Sequence, residues 1–274
     1  MGISINTNVA ASRAGMFLKS NHANLQKSLD RLSSGRRITE PADDAGGLAV
    51  SMKLEHTTKV LQGVSNNISN AISLLQVQDG ALKSAADIVS RIGELEAMYK
   101  DVTKSTSDKL TYDSEFTDLK AQINSIKDNT KFNGIDVFGA DTLNVFLDEN
   151  LSASNGVIDL NDDALLGTDL TALVGFASLA NTVAANTAGN VADTLEEIAG
   201  RRATNGGQVR RLQYALANAQ SQITNLTAAN GRIVDVDIAA ESSNLARQQI
   251  LTQASAAMTA QANTSNDVAL MLLQ

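Results

Sequence analysis

From Leu61 the chain repeats apolar positions at alternating steps of three and four: Leu61, Val64, Ile68, Ala71, Leu75, Gln78, Leu82, Ala85, Val89 and Ile92. Only Gln78 breaks the run. This is a heptad seam held over about four repeats, the pattern of coiled-coil packing. It predicts one helix from Asp43 to about Lys100, roughly 85 Å long at ~1.5 Å per residue. Phe116, Leu119, Ile123 and Ile126 continue at helical spacing in a shorter segment, which Phe132-Asn133-Gly134 closes as a turn. The seam returns in Val209, Leu212, Leu216, Ala219, Ile223, Leu226 and Ile233.

Both ends carry thinner stripes. Leu18, Leu25, Leu29 and Leu32 lie on one side of a helix predicted from about Ile5 to Leu32, surrounded by polar residues. After Asp235 the chain is rich in Ala, Gln and Asn, with Leu245, Ile250, Met258, Val268 and Leu272 as sparse anchors. Burying a seam Leu or Ile contributes ~1.5–3 kcal/mol, so the central seams can pair within one molecule. Ordering backbone opposes this by ~1–2 kcal/mol per residue. The ends, with few anchors, are expected to order when further copies of the chain add surface.

Two stretches punctuate these helices. Arg31 to Val50 holds the chain's only proline, Pro41. Gly35 suits a helix C-cap, Pro41 disfavours helical backbone at Glu40, and Asp43 or Asp44 can cap the next helix. From Asp136 to about Gly189, the β-prone runs Leu143–Leu147 and Val157–Leu160 alternate with Asn, Asp, Gly and Ser. They predict a small irregular insertion with one or two hairpins. The fold expected is mainly α: long antiparallel coiled-coil or helical-hairpin rods with a small β-containing insert.

Composition narrows the function. The chain of 274 residues is 43 % hydrophobic but 3 % aromatic, without Trp or Cys. Burial must come from aliphatic side chains, and disulfides, thiol catalysis and thiolate metal sites are excluded. A net charge of −8 speaks against a nucleic-acid partner, and no apolar run approaches the ~18 residues of a membrane helix. The N-terminus lacks the basic-then-apolar plan of a secretory signal. His22 and His56 stand apart as solvated helix residues. Asp159, Asn161 and Asp163 imitate a calcium loop, but Ala164 and Leu170 occupy the positions of its Gly and bidentate Glu. Gly46-Gly47 and Gly206-Gly207 fit no phosphate-binding fingerprint. The pairs Arg36-Arg37, Arg201-Arg202 and Arg210-Arg211 suit ion pairs. No cofactor, metal or catalytic set is expected.

Several motifs in fixed order, ISINTNVAA, LDRLSSGRRI, DDAGGLAVS, NNISNAISLLQVQDGAL, NTKFNG, NLTAANGRIVDVDIAAESSNLARQQILTQASAAMTAQAN and VALMLLQ, resemble bacterial flagellin over about residues 1–138 and 190–274. The resemblance implies a subunit that self-polymerises into the flagellar filament for motility. Residues 1–33 with 236–274 would be a terminal helical domain lining the filament core. Residues 34–45, with Gly35, Pro41, Asp43 and Asp44, would be a spoke; 46–138 with 190–235 a central helical rod; and 139–189 a reduced variable surface module. It further implies an extracellular location reached through the flagellar secretion channel, and an export chaperone, filament cap and hook-associated proteins as partners. Arg91, Leu95 and Glu115 match a surface seen by a vertebrate innate immune receptor. Pro41 in TEPADD is reminiscent of the hook–filament junction protein, an alternative within the same class. A cytoplasmic helical-hairpin signalling scaffold is the alternative from a different class, and a secreted hydrolase has no catalytic residues to support it.

Overall fold

A computed structural model describes residues 8–138, 144–147, 157–160, 167–184 and 190–271. Its elements are α1 (Val9–Ser34), α2 (Ala45–Tyr99), α3 (Thr106–Asn129), β1 (Lys131–Phe132), β2 (Ile135–Asp136), β3 (Asn144–Phe146), β4 (Val157–Asp159), α4 (Thr168–Gly175), α5 (Leu179–Ala184), α6 (Val191–Val234) and α7 (Ile238–Met271). The chain is mainly α-helical, as the periodicity predicts. It divides into two compact units, residues 58–223 and residues 1–57 with 224–274.

In the unit spanning 58–223, Leu61, Val64, Ile68, Leu75, Leu82, Val89 and Ile92 of the α2 seam are all buried. They contribute to two apolar clusters. One joins Leu82, Val89 and Ile92 to Phe116 and Ile123 of α3 and Ile198 of α6. The other joins Val64, Ile68 and Leu75 to Leu212 of α6, with Val209 and Leu216 packed against its edge. Ile223 and Leu226 are half-buried. Arg202 of α6 donates twice to the Asp79 carboxylate of α2, at 2.8 and 3.2 Å.

Local chemistry sets the element ends. Ser105 Oγ accepts from the Asp108 amide at 3.3 Å while the Asp108 carboxylate accepts from the Ser105 amide at 2.9 Å, a capping box that starts α3. Strands β1 and β2 pair antiparallel with Phe132 opposite Ile135. Their two-residue turn, Asn133 (φ 51°) and Gly134 (φ 82°), has both residues in the left-handed region. That is the geometry matched to strand twist, and Asn-Gly is the pair that adopts it most readily.

The region read as an insertion needs correction. It holds the hairpin expected from its β-prone runs, β3 paired with β4, but also two helices the sequence reading missed. Leu170, Leu173 and Leu179 are completely buried in the α2–α3 cluster, and Ile158 and Leu160 belong to the second. Glu197 of α6 accepts from the Asp169 and Leu170 amides at 3.1 and 3.2 Å, capping α4 from outside. Asp113 of α3 accepts from the Leu179 amide at 2.8 Å. Helices of eight and six residues are too short to declare a period. The segment completes the core rather than decorating it. Asn161 and Asp163 of the imitation calcium loop lie outside the described residues.

Candidate self-assembly surface

Helices α1 and α7 pack against each other in the second unit. They run antiparallel: Asn8 Nδ2 donates to the Ala262 carbonyl at 2.7 Å, and Asn21 Nδ2 donates to the Leu251 carbonyl at 3.3 Å and to Ser255 Oγ at 3.4 Å. Among the described residues, those these helices bury are polar: Ser28, Glu241 and Ser255. Leu18, Leu25, Leu32 and Leu245 are only half-buried.

Larger apolar groups point outward. Phe17 is 65 %, Ile250 66 % and Met258 64 % exposed, and Met16, Leu29 and Leu251 are exposed beside them. Four leucines sharing one side of α1 are therefore not covered alike: Leu29, at the edge of the stripe, is exposed, while Leu18, Leu25 and Leu32 are half-buried. Phe17, Leu251 and Met258 line an open groove of about 530 Å³ along the pair. Leu272 lies outside the described residues, and of Val268 only the helical backbone is described.

The break between α1 and α2 is built residue by residue. Gly35 caps α1 with φ 69°, a left-handed conformation that a Cβ would strain. Arg36 bridges to Asp235 in antiparallel register. The Val236 amide donates to the Gly35 carbonyl at 3.1 Å, and the Arg37 guanidinium donates to the Ile233 carbonyl at 2.7 Å. The helix break before α2 and the one between α6 and α7 are thus stitched together. Ile38 is buried beneath them, and Pro41 sits in the turn that follows.

The two aspartates take different roles. Asp44 is the cap: its carboxylate accepts from the Gly47 amide at 2.8 Å. A Cβ on Gly47 would collide with that carboxylate and come within 3.0 Å of Ile38 Cδ1. Asp43 is an ionic hub. It pairs closely with Lys27, lies 3.8 Å from Arg31, and accepts from the Thr39 amide at 3.2 Å and hydroxyl at 3.1 Å. The Lys27 ammonium above all, then the Thr39 and Glu40 donors, hold its carboxyl far below the usual carboxylate range against the opposing effect of burial. Arg31 also reaches Glu241 of α7 at 3.9 Å.

At the residues matched to a receptor surface, Arg91 donates to Glu115 at 2.8 Å and to Glu94 at 2.7 Å. All three are partly exposed. Leu95 is not on that surface. It is completely buried with Phe116 and Ile123, because its place on α2 faces the apolar cluster.

His22 and His56 are exposed. Among the described residues no group of three or more His, Asp or Glu could hold a metal ion, and no helix is long and apolar enough to cross a membrane.

Terminal helices that leave Phe17, Ile250 and Met258 in solvent place the chain among α-helical proteins with an apolar surface suited to association. The family model for the bacterial flagellin N-terminal helical region matches residues 5–142, and that for the C-terminal helical region matches residues 188–273. The chain belongs to the bacterial flagellin family. It is 31 % identical to a flagellar filament 33 kDa core protein of Treponema phagedenis, over 98 % of this chain and 99 % of the relative. It is 30 % identical to a flagellin of Listeria innocua and 33 % identical to a flagellin of Bacillus subtilis, each over 98 % of this chain and 99 % of the other. A crystal structure of Bacillus cereus flagellin covers 60 % of this chain and 94 % of its own, with 25 % identity and a TM-score of 0.46. The chain is a structural subunit that polymerises into the flagellar filament, the extracellular part of the flagellum.

Proposed function

We propose that α1 and α7 form the inner layer of the filament and that the outward apolar residues of these helices are buried by neighbouring copies. The residues are Phe17, Leu29, Ile250 and Met258, with Leu18, Leu25, Leu32, Leu245, Val268 and Leu272 completing the stripe. Residues 1–33 with 236–274 are this layer, 34–45 the spoke, and 46–138 with 190–235 the surrounding rod. Residues 139–189 take the place of the variable module, and Ile158, Leu170, Leu173 and Leu179 within them complete the core of the rod. The observation that carries the reading is that Phe17, Ile250 and Met258 stand in solvent while, among the described residues, these helices fully bury only Ser28, Glu241 and Ser255. Phe17, Ile250 and Met258 in solvent leave burial of ~1.5–3 kcal/mol apiece unrealised in one chain, and repetition along an open helical polymer realises it.

The same surface implies partners before assembly. An export chaperone covering α7 would suppress premature association, and the cap and hook-associated proteins would meet α1–α7 ends left uncovered at either end of the filament. Passage through a narrow secretion channel suits a chain without disulfides. A vertebrate innate receptor would meet Arg91 and Glu115, with Leu95 acting only as packing beneath them.

Seeded elongation tests the layer. The parent chain should extend filament fragments. The triple variant F17S/I250S/M258S should lower the elongation rate at least ten-fold while its dilute subunit keeps the parent's unfolding midpoint, since exposed substitutions usually fall within about 0.5 kcal/mol. Elongation at the parent rate would refute the assignment.

A further inference from the structure

The chain has no Cys and no Trp. Its most readily oxidised side chains are therefore its methionine thioethers, which two-electron oxidants convert to sulfoxides at a rate that follows exposure. The fold sets them apart. Met16 on α1 is 66 % exposed, Met258 on α7 64 % and Met52 on α2 63 %. Met98 is half-buried, packed against the apolar cluster that includes Phe116 and Ile123.

Two of the exposed sulfurs sit on the α1–α7 pair. Met258 lines its open groove, with Phe17 and Leu251 as large apolar neighbours, and Met16 adjoins Phe17 in the chain. Neither place needs methionine for its shape or its helix. Leucine forms helix as readily, and Ile250 and Leu251 are already exposed on α7. What methionine adds is a sulfur that can change polarity. A sulfoxide oxygen is a hydrogen-bond acceptor, and enclosing it in an apolar contact without a donor opposes association.

We propose that Met258, together with Met16, is an oxidation site that governs assembly: a peroxide converts the thioether of the free subunit to a sulfoxide, and the modified chain no longer joins a filament. The step balances as thioether plus hydrogen peroxide giving sulfoxide plus water. Sulfur loses two electrons and takes one peroxide oxygen, while the other oxygen leaves as water. The effect on assembly rests on the layer assignment above; the reactivity of Met258 in the free subunit does not. A neighbour that covers the groove also covers the sulfur, so assembled copies are protected and only those awaiting assembly are screened.

The dilute, full-length subunit treated with hydrogen peroxide and mapped by peptide mass should gain oxygen at Met16 and Met258 at least about ten-fold faster than at Met98. Seeded elongation by the oxidised subunit should fall at least about ten-fold, and methionine sulfoxide reductases should restore it. Each variant is read against its own untreated rate. M16L/M258L, which keeps apolar side chains of similar volume but no sulfur, should lose less than about two-fold on treatment, and M52L should lose as much as the parent. Equal oxidation of Met258 and Met98 would overturn the proposal, as would M16L/M258L falling as far as the parent. Finished filaments test the layer separately. Met258 reacting there as fast as in the free subunit refutes the layer. Protection there, combined with unimpaired elongation by subunits carrying the Met258 sulfoxide, keeps the layer and removes the switch.

Discussion

Asp43 and Asp44 are adjacent, chemically identical and equally good candidates for capping α2 when read in one dimension. The fold separates them. Asp44 caps, while Asp43 faces Lys27 and Arg31 from the preceding helix, neighbours that no local pattern announces. Because the Asp43 carboxyl is held far below its ordinary value, its stabilising effect is complete above about pH 4, where the unfolded carboxyl is already ionised. It disappears as pH falls below that toward the folded value. The protection of the Thr39 and Glu40 amides relative to their intrinsic exchange, both being donors to this carboxylate, should fall over that acid range, and D43N should remove the dependence. Gly35 was legible as a C-cap from its place after the last apolar position, and its φ of 69° gives the reason. G35A should destabilise the α1–α7 unit by ~1–2 kcal/mol, read as an earlier denaturant midpoint for the terminal helices.

Among the elements, legibility followed length. The α2 seam spans enough heptads to identify itself, and each of its large apolar members is buried. Helices α4 and α5 escaped because they complete no period; their leucines acquire meaning only against α2 and α3. Leu173→Ala should therefore destabilise the unit of residues 58–223 by ~2–5 kcal/mol, measured by urea unfolding. A dispensable insert would lose almost nothing. The direction in which α1 presents its stripe was also illegible. Spacing places Leu18, Leu25, Leu29 and Leu32 together, but which of them α7 covers is settled only by how the two helices dock.

At the level of the whole molecule, each unit has internal contacts of its own. Both apolar clusters are assembled from residues between Val60 and Leu216. Asn8, Asn21 and Arg31 depend on α7. Deleting residues 238–271 should leave the urea unfolding of the 58–223 unit within about 0.5 kcal/mol of the parent and abolish seeded elongation, while amides of α1 lose protection. A global loss of helical circular dichroism on that deletion would contradict the separation. The mirrored order of the sequence, weak stripe, strong seam, insert, strong seam, weak stripe, pointed to a division between ends and middle, but not to its bounds at residues 57 and 224. The stitching of the two helix breaks through Arg36, Arg37, Asp235 and Val236 was not legible, because it joins positions roughly two hundred residues apart.

Asn8 and Asn21 grip carbonyl oxygens of α7, at Ala262 and Leu251. A main-chain oxygen is offered by every amino acid, so the hold on position 251 or 262 is indifferent to which side chain grows there. Lineages descending from this chain are free to rewrite the outer face of α7, and with it the neighbours it accepts, while inheriting the alignment of the pair unchanged.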